Sequence, residues 1–341
     1  MSNPSEIFAN ILKVSLKIAR CQKLLLNYEE ALIVLKTCWK GIKKRPDRSE
    51  ALLNEFFLVC NEYISVLILL NRLQEAHDLV AEAIDAIDIS KKASTYQKKI
   101  TSLVIYKGQI FLKLGYLDDA HVFFTRVQSI LTDENATKNN IDNVLHMTLS
   151  EAVDYMECVL GICAINIEMS KYKEAEATLA KCEEVIPKLF QAKDNDLARR
   201  VKILRLTIAR DTLDFKMRNE VGDQLSAIYQ KYDHYRLLRC EDFMLFVKER
   251  IMYLIDDCKY DMALLRVENI LSVLDSKKSS YWYQQYRLLQ AKCLINMRKA
   301  YVAYEILQEL LQNSFLKKDL PSLKDYRLFV DVHLGLGKSS S

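Results

Sequence analysis

The sequence contains little glycine and little proline. It has 7 glycines and 4 prolines in 341 residues, whereas these two residue types make up about 12% of an average protein. Tight turns depend on glycine and proline, and a fold built from many short strands needs many tight turns. A strand-rich fold is therefore excluded, and the composition predicts an all-α protein with long helices and short polar loops.

Signals for membranes and for secretion are also missing. No stretch of 18 uncharged apolar residues occurs, so we predict no membrane-spanning helix. The segment MSNPSEIFANILKV at the start lacks the basic beginning and the continuous apolar run of a signal peptide. The nine cysteines are odd in number and scattered, at positions 21, 38, 60, 158, 163, 182, 240, 258 and 293. A disulfide framework is denser and even, so we expect reduced thiols and a protein of the cytoplasm or nucleus.

A strong charge imbalance is absent as well. The chain has 49 basic and 45 acidic residues, a formal net charge of +4. This value does not call for nucleic acid or an anionic membrane as partner. We therefore expect another protein as the partner, and nucleic acid only as an alternative.

An internal repeat is present. The segments NRLQEAHDLVAEAIDAI (71–87) and GYLDDAHVFFTRVQSI (115–130) share the pattern Leu, any residue, acid, Ala, His. Similar segments surround six alanines, which we call the anchor alanines: Ala31, Ala76, Ala120, Ala175, Ala263 and Ala303. The gaps between them are 45, 44, 55, 88 and 40 residues. The gap of 88 is twice 44, which predicts one degenerate unit between Ala175 and Ala263.

The pattern around each anchor alanine predicts a helical hairpin. Apolar residues stand at the anchor and four and seven positions later, as on one face of an amphipathic helix. An acidic residue precedes the anchor in four of the six units, where the helix dipole favours it. Twelve positions before the anchor, four of six units have a small residue. A small residue there allows a preceding helix to approach closely, so each unit is expected to be an antiparallel pair of helices.

These spacings resemble the tetratricopeptide (TPR) repeat. LKLGYLDDA (112–120) is similar to the turn of that family, and the resemblance covers roughly residues 12–317. It implies an α-solenoid, a TPR-like superhelix of stacked antiparallel hairpins that serves as a scaffold. The spacing of 40 to 45 residues exceeds the usual period of about 34 and resembles the long-helix TPR subunits of cohesin-loading and other chromosome-segregation complexes. HEAT-like helical pairs are the alternative fold.

The repeat predicts the domain organisation. Seven units are expected near 12–45, 57–90, 101–134, 156–189, 196–240, 244–277 and 284–317, the fifth being the degenerate one. A capping helix is expected at 318–335, because a solenoid needs its last apolar face covered. The Ser-rich end, 336–341, is expected to be disordered.

The resemblance also implies a binding surface. In TPR arrays the first helix of each pair lines a concave groove, and the residues eight and eleven before each anchor look into it. An apolar groove of this kind suits an extended or amphipathic segment of a partner protein. The groove candidates are Arg20, Lys23, Ile68, Leu112, Ile167, Ile255 and Ile295. The alternative is that tighter winding closes the groove and makes these residues part of the core.

A basic helix is a second candidate surface. The stretch RRVKILRLTIAR places Arg199, Lys202, Arg205 and Arg210 on a predicted helix. Such a cluster suits an acidic partner or RNA, although nucleic-acid binders usually have a wider basic footprint. A solvated helix face is the alternative.

Motifs for catalysis are absent from the sequence. GLGKSSS (335–341) lacks the first glycine of a phosphate-binding loop, since position 332 is Val, and no helix follows it. The five histidines do not pair at metal-ligand spacing, and no CxxC pair occurs. We therefore predict a protein that is not an enzyme, with no cofactor and no metal. The expected function is an adaptor within a hetero-complex, with RNA binding as the alternative.

Overall fold

The computed structural model describes residues 4–25, 27–44, 50–88, 93–132, 141–190, 195–230, 241–274 and 281–310. Within these ranges the secondary structure consists of fourteen α-helices and one 3-10 helix, with no strand. The helices are α1 (Pro4–Leu24), α2 (Tyr28–Lys43), α3 (Glu50–Leu69), α4 (Leu73–Asp88), α5 (Ala93–Leu114), α6 (Leu117–Leu131), α7 (Leu149–Glu168), α8 (Tyr172–Leu189), α9 (Asp196–Asp211), α10 (Phe215–Tyr229), α11 (Glu241–Asp256), α12 (Tyr260–Leu274), α13 (Tyr281–Asn296) and α14 (Ala300–Leu310). The 3-10 helix, Ile141–His146, lies between α6 and α7.

The described helices form seven consecutive hairpins, α1–α2 to α13–α14. Each first helix contacts its own second helix, the second helix of the preceding hairpin, and the first helix of the preceding hairpin. This is the packing of a solenoid, in which each unit stacks on its neighbour. The predicted all-α fold class, an array of stacked antiparallel hairpins, is confirmed.

The anchor alanines form the close seam of each hairpin. All six have a relative exposure of 0%. The residues twelve positions earlier are buried as well: Ala19, Ile64, Gly108, Cys163, Ile251 and Ala291. The helix of the anchor alanine therefore packs tightly against the preceding one, as the small residues in the sequence predict.

One turn geometry joins the two helices of every hairpin. In each of the seven hairpins, the backbone N–H of the residue four before the anchor position donates to the backbone carbonyl five residues before it. In the first hairpin Asn27 N donates to Gln22 O at 2.8 Å, and in the third Tyr116 N donates to Phe111 O at 2.9 Å. The residue before that amide has positive φ in the six turns where it is described: Asn71, Gly115, Ser170, Leu213, Cys258 and Arg298. Such a left-handed residue closes the end of a helix and reverses the chain.

The turn at Leu213 identifies the anchor position of the fifth hairpin. Arg218 stands five residues after this left-handed residue. The other six hairpins all have their anchor alanine at the equivalent position. Arg218 is only 2% exposed. Its Nη2 donates to Oδ2 of Asp256 at 3.1 Å, and its guanidinium lies 4.4 Å from the ring centroid of Tyr253. Both partners are on α11, so a side chain from the next hairpin compensates the buried charge.

Glycine is needed where three helices meet around Phe124. A Cβ atom on Gly108 of α5 would lie 2.8 Å from the Phe124 ring, and one on Gly161 of α7 would lie 2.6 Å from it. Both distances are shorter than real Cβ contacts. The ring of Phe124 on α6 therefore depends on glycine on either side, and it joins the third hairpin to the fourth.

The array curls until distant hairpins contact each other. Helix α13 of the seventh hairpin contacts α3 of the second. Nδ2 of Asn71, in the turn after α3, donates to Oε1 of Gln284 at 3.4 Å. The curl of the superhelix thus brings the second and the seventh hairpins into contact.

Two predicted features lie outside the described residues, the capping helix at 318–335 and the tail at 336–341. The predicted unit boundaries stay predictions. Among the described helices, none combines the length and the apolar character needed to cross a membrane.

Candidate protein-binding surfaces

Polar contacts cross the inner face, which we define as the face where first helices of consecutive hairpins meet. At least one contact of this kind occurs at each of the six junctions between hairpins. In order along the chain they join Arg20 and Lys23 to Glu62, Asn61 to Ser102, Thr101 to Asp154, Arg200 to Glu157, Arg210 to Glu249, and Lys248 to Gln285. Many polar groups of this face are therefore satisfied within the chain.

The first junction uses both cations of the predicted groove. Nε of Arg20 lies 2.7 Å from Oε1 of Glu62, and Nζ of Lys23 lies 2.5 Å from Oε2 of the same carboxylate. Burial by itself raises the pKa of Glu62, but the charges and hydrogen bonds of Lys23 and Arg20 outweigh it and lower the pKa. Both cations are thus already engaged, which differs from the expectation that they pair with a partner's acidic residues.

The apolar groove candidates are less accessible than expected. Ile68, Ile167 and Ile255 are only 8%, 4% and 4% exposed, and Leu112 and Ile295 are half-buried. The reason is the tight curl of the array, which packs neighbouring first helices together at these positions. A partner cannot reach the three buried isoleucines unless the helices separate. Three of the five apolar candidates are thus in the core and two are partly accessible, and the groove as a binding surface stays a prediction.

The predicted basic helix is α9, and the structure divides its four cations between two sides. Arg199 lies 3.7 Å from Asp242 of α11 and also pairs with Asp196. Lys202 and Arg205 point the other way, toward α10 and α8. The division follows from helical geometry, since residues 199 and 205 are about 120° apart around the helix axis. A single basic stripe for RNA or an acidic partner is therefore not formed.

Arg210 faces α11 together with Arg199. Its Nη1 donates to both carboxylate oxygens of Glu249 at 2.8 Å, and a further contact of 2.9 Å joins it to Asp211. Burial by itself lowers the pKa of Arg210, but the carboxylates of Glu249 and Asp211 raise it. Since Glu249 is only 7% exposed, this pair is part of the junction between the fifth and sixth hairpins and is not free to bind RNA.

An open cleft lies on the outer side of the array, between the second helices α8 and α10 and above α9. Its volume is about 540 Å³, within the range of protein binding sites for small molecules and side chains. The floor is apolar: Ile186, Val201 and Val221 are buried, and Ala198 and Met217 are half-buried. Within this floor the accessible apolar side chains are those of Ala198 and Met217, since Ile186, Val201 and Val221 are buried beneath them.

The rim of the cleft carries charges of both signs. Glu183 of α8 accepts a 3.2 Å contact from Nη2 of Arg205 across one wall. Nζ of Lys202 donates to Oε1 of Gln224 at 2.7 Å on the other wall. Two of the four predicted basic residues thus line a cleft, although they do so beside acids and amides rather than as a uniform basic patch.

A second hollow of about 350 Å³ continues the cleft along α8. It shares Arg205 and Met217 with the larger hollow and is also lined by the exposed alanines Ala177 and Ala180. The two hollows together form a surface long enough for several residues of an extended or helical segment. We call them the outer cleft.

Six of the eight described cysteines are buried, and the exceptions are Cys21 and Cys258. Burial is the main cause that raises the pKa of Cys163 and of Cys182 to about 12. Both are therefore protonated at neutral pH, and the thiolate is the nucleophilic form. Among the residues that the structure describes, no three His, Cys, Asp or Glu side chains group as a metal site.

Comparisons with known proteins show resemblance of architecture only. No protein-family model matches the sequence, and no curated protein does. Among solved structures, a Rap protein complexed with competence and sporulation factor matches with 10% identity and a TM-score of 0.41, covering 97% of this chain and 99% of that one. The TPR domain of P58(IPK) matches with 15% identity and a TM-score of 0.26, covering 96% and 97%. Likeness at this level carries no information about what this chain binds.

Sequence reasoning missed most of the outer cleft. Met217, Ala177 and Ala180 do not stand out in the sequence, because the cleft depends on the separation of two helices that are not adjacent in the chain. One signal was present: the fifth unit lacks its anchor alanine. The cleft lies where this irregular unit follows the fourth.

Proposed function

We propose that this protein is a non-catalytic adaptor that binds a segment of a partner protein in the outer cleft. The observation that carries the proposal is the apolar floor of Val201, Val221 and Met217 inside an open cleft of about 540 Å³. The inner face is a poorer candidate because Ile68, Ile167 and Ile255 are packed between helices there, whereas an open hollow separates α8 from α10. The proposal places binding on the outer side of the fourth and fifth hairpins.

The chemistry of the cleft favours an amphipathic segment. Apolar side chains of the segment would cover the floor, and each fully buried leucine or phenylalanine contributes about 1.5–3 kcal/mol. Charges at the rim, Arg205 and Glu183 on one side and Lys202 and Glu220 on the other, would face flanking charges of either sign. Such pairs at a rim select the partner and its orientation more than they add affinity.

Filling the cleft tests the proposal. Ala180→Trp combined with Gln224→Trp places two large rings at exposed positions that line the two hollows. The matched control, Lys181→Trp combined with Asp223→Trp, places the same rings one residue away, at exposed positions outside the lining. Proteins captured by the wild type and the control, and lost only from the cleft variant, are expected in quantitative affinity purification. Equal capture by all three proteins contradicts the proposal.

A narrower proposal concerns the complex. The repeat spacing of 40 to 45 residues resembles TPR subunits of cohesin-loading and related chromosome-segregation complexes, so a subunit role in such a complex, in the cytoplasm or nucleus, follows as a proposal from the sequence. Purification of the tagged protein from its own cells tests it, because structural-maintenance-of-chromosomes subunits or their loaders are expected among stoichiometric partners. Stable partners from an unrelated process would contradict this narrower proposal and leave the adaptor function standing.

A further inference from the structure

Helix α1 exposes an apolar stripe. The residues of the stripe follow one another at alternating spacings of four and three, so they lie on one side of the helix. They are Ile7 (47% exposed), Ile11 (54%), Val14 (58%), Ile18 (47%), Cys21 and, just after the helix, Leu25 (53%). Single exposed apolar residues are ordinary, but a continuous stripe of this length marks an interaction surface.

The repeat shows what kind of surface this is. The anchor alanines of the first two hairpins, Ala31 and Ala76, are 45 residues apart, so each residue of the stripe has an equivalent 45 positions later. The equivalents in the second hairpin are Leu52, Phe56, Val59, Tyr63, Val66 and Leu70. All six are buried, with exposures from 0% to 7%. Helix α3 is covered by α1 and α2, and the rings of Trp39 and Phe56 lie 5.4 Å apart at that contact. The stripe on α1 is therefore the stacking face of a solenoid unit, and within the described residues no hairpin stacks on it.

The charge around this stacking face is positive. Helix α1 carries four basic residues and one acidic residue, Glu6. Residues 4–44 hold eight basic and three acidic residues, a net charge of +5, whereas the whole chain has a net charge of +4. The positive charge of the protein is thus concentrated in its first hairpin. Lys17 is exposed and borders the stripe. Lys13 and Arg20 lie on the same flank but pair with Glu55 and Glu62 of α3, so Lys17 is the cation of this flank that faces an incoming helix.

Charge decides between three occupants of the face. A second copy of the protein would oppose one basic hairpin with another. The end of this chain, residues 311–341, holds five basic and three acidic residues, a net charge of +2, so it too has the unfavourable sign. A helix of another protein with an apolar stripe and acidic flanks matches both the stacking geometry and the charge, since interfaces place opposite potentials against each other.

We propose that the stripe on α1 binds a helix of another protein that has an apolar face flanked by Glu or Asp. This helix extends the solenoid by taking the place of a preceding hairpin, and it covers Ile11, Val14 and Ile18. The site lies on the first hairpin and is separate from the outer cleft. It does not depend on the cleft's being a binding site.

Designed peptides test the proposal on the full chain. One peptide of about three heptads carries Ile and Leu at the stacking positions and Glu on the flanks, and its twin carries Lys on the flanks instead. Fluorescence anisotropy is expected to show binding of the Glu peptide, weakened by added salt, and at least about tenfold weaker binding of the Lys peptide. Equal binding of both peptides, or no binding of the Glu peptide, overturns the proposal.

Substitutions locate the site. Ile11→Asp combined with Ile18→Asp changes two exposed side chains and should leave the circular dichroism spectrum unchanged. It is expected to weaken binding of the Glu peptide by about 100-fold or more, because two buried isoleucines are lost and acids face acids. The control Ile33→Asp, at a position on α2 that is 65% exposed and outside the stripe, should bind as the wild type does. Loss of binding in the control as well overturns the proposal.

Two other results would also overturn it. If the wild type dimerises in sedimentation velocity and the Ile11→Asp, Ile18→Asp variant does not, the occupant is a second copy. If the wild type binds vesicles of phosphatidylserine and phosphatidylcholine more tightly than it binds the Glu peptide, and the same variant loses that binding, the stripe is a membrane-surface helix. Monomeric protein and weak vesicle binding are the results that the proposal expects.

Discussion

The second and fifth hairpins use the same seam position in opposite ways. In the second hairpin it holds Ala76, which is fully buried against the small-to-medium side chains of α3. In the fifth it holds Arg218, also buried, whose charge is met by Asp256 and the ring of Tyr253 on α11. The turn geometry of the two hairpins is the same. The repeat therefore determines the backbone geometry at the seam, and the neighbouring hairpin determines which side chain can be buried there.

The packing between hairpins also differs between these two regions of the molecule. The first two hairpins share one continuous apolar core that extends from α1 to α5. At the junction of α10 with α11, arginine side chains replace part of the apolar packing: Arg250 lies 2.9 Å from where a Cβ of Gly222 would be, and its guanidinium is 5.8 Å from the centroid of Tyr253. Long flexible side chains keep two helices apart more easily than alanine does. This irregular region adjoins the outer cleft.

The largest effect is expected when arginine, the seam residue of the fifth hairpin, is placed at the seam of the second. Ala76→Arg places a long charged side chain at a position that is 0% exposed, and we expect a loss of at least about 4 kcal/mol of stability. Thermal unfolding by circular dichroism should show loss of the cooperative transition or a large fall in Tm. His77→Arg, one residue along and partly exposed, is the control and should unfold as the wild type does. A folded Ala76→Arg protein of normal Tm would contradict the importance of the seam.

Removing the arginine should have a smaller effect. Arg218→Met keeps much of the volume but leaves Asp256 without its cation; since the carboxylate side chain is 33% exposed, we expect a loss of about 1–3 kcal/mol. Guanidinium unfolding of the single variants and of Arg218→Met combined with Asp256→Asn gives the coupling energy of the pair. A coupling energy of zero would show that the pair does not hold this junction together.

Alanine substitutions at two glycines, Gly161 and Gly222, compare how tightly the two regions are packed. Gly161→Ala forces a Cβ to within 2.6 Å of the rigid Phe124 ring, and we expect a loss of about 1–3 kcal/mol. Gly222→Ala meets only the end of the flexible Arg250 side chain at 2.9 Å, so a gain in helix propensity of about 0.5–1 kcal/mol should offset the contact. Chemical denaturation of both variants measures the difference. Equal destabilisation would mean that the two regions are packed equally tightly.

The smallest expected effect concerns pH at the first junction. The pKa of Glu62 is lower in the folded protein than its ordinary value of 4.5, so its contribution to stability is present above that value and is lost as the pH falls through the folded pKa. Glu62→Gln should therefore reduce stability at neutral pH by up to about 1 kcal/mol and should approach the wild type at acidic pH. Denaturation at several pH values measures this. A pH-independent difference would exclude the ionic pair as its cause.

Much of the fold was predictable because it depends on local patterns. The apolar spacing around Ala31, Ala76 and Ala120 predicted the buried helix faces, and the gap of 88 residues predicted a hidden hairpin. Neither the identity of its seam residue nor the outer cleft was predictable. Arg218 resembles any surface arginine until Asp256 and Tyr253, 38 and 35 residues further on, are known to lie beside it.

The candidate surfaces show the same limit. The positions of Ile68, Ile167 and Ile255 on the inner side of the first helices follow from the repeat, but their accessibility depends on how tightly the array curls. That curl involves Asn71 and Gln284, which are 213 residues apart. No pattern within one repeat contains such a contact, so the sequence left open whether these isoleucines line a groove or belong to the core.

The amino-acid sequence by itself determined the helices, their pairing into hairpins and the position of each seam, because these follow from interactions within about 45 residues of chain. Only the tertiary structure decided which surfaces remain accessible: Ile68, Ile167 and Ile255 of the inner face are buried, an open cleft lies between α8 and α10, and within the described residues no hairpin stacks on the stripe of α1. The physical reason is that exposure is a property of the whole array. It depends on the sum of small rotations between neighbouring hairpins and on contacts between residues far apart in the chain.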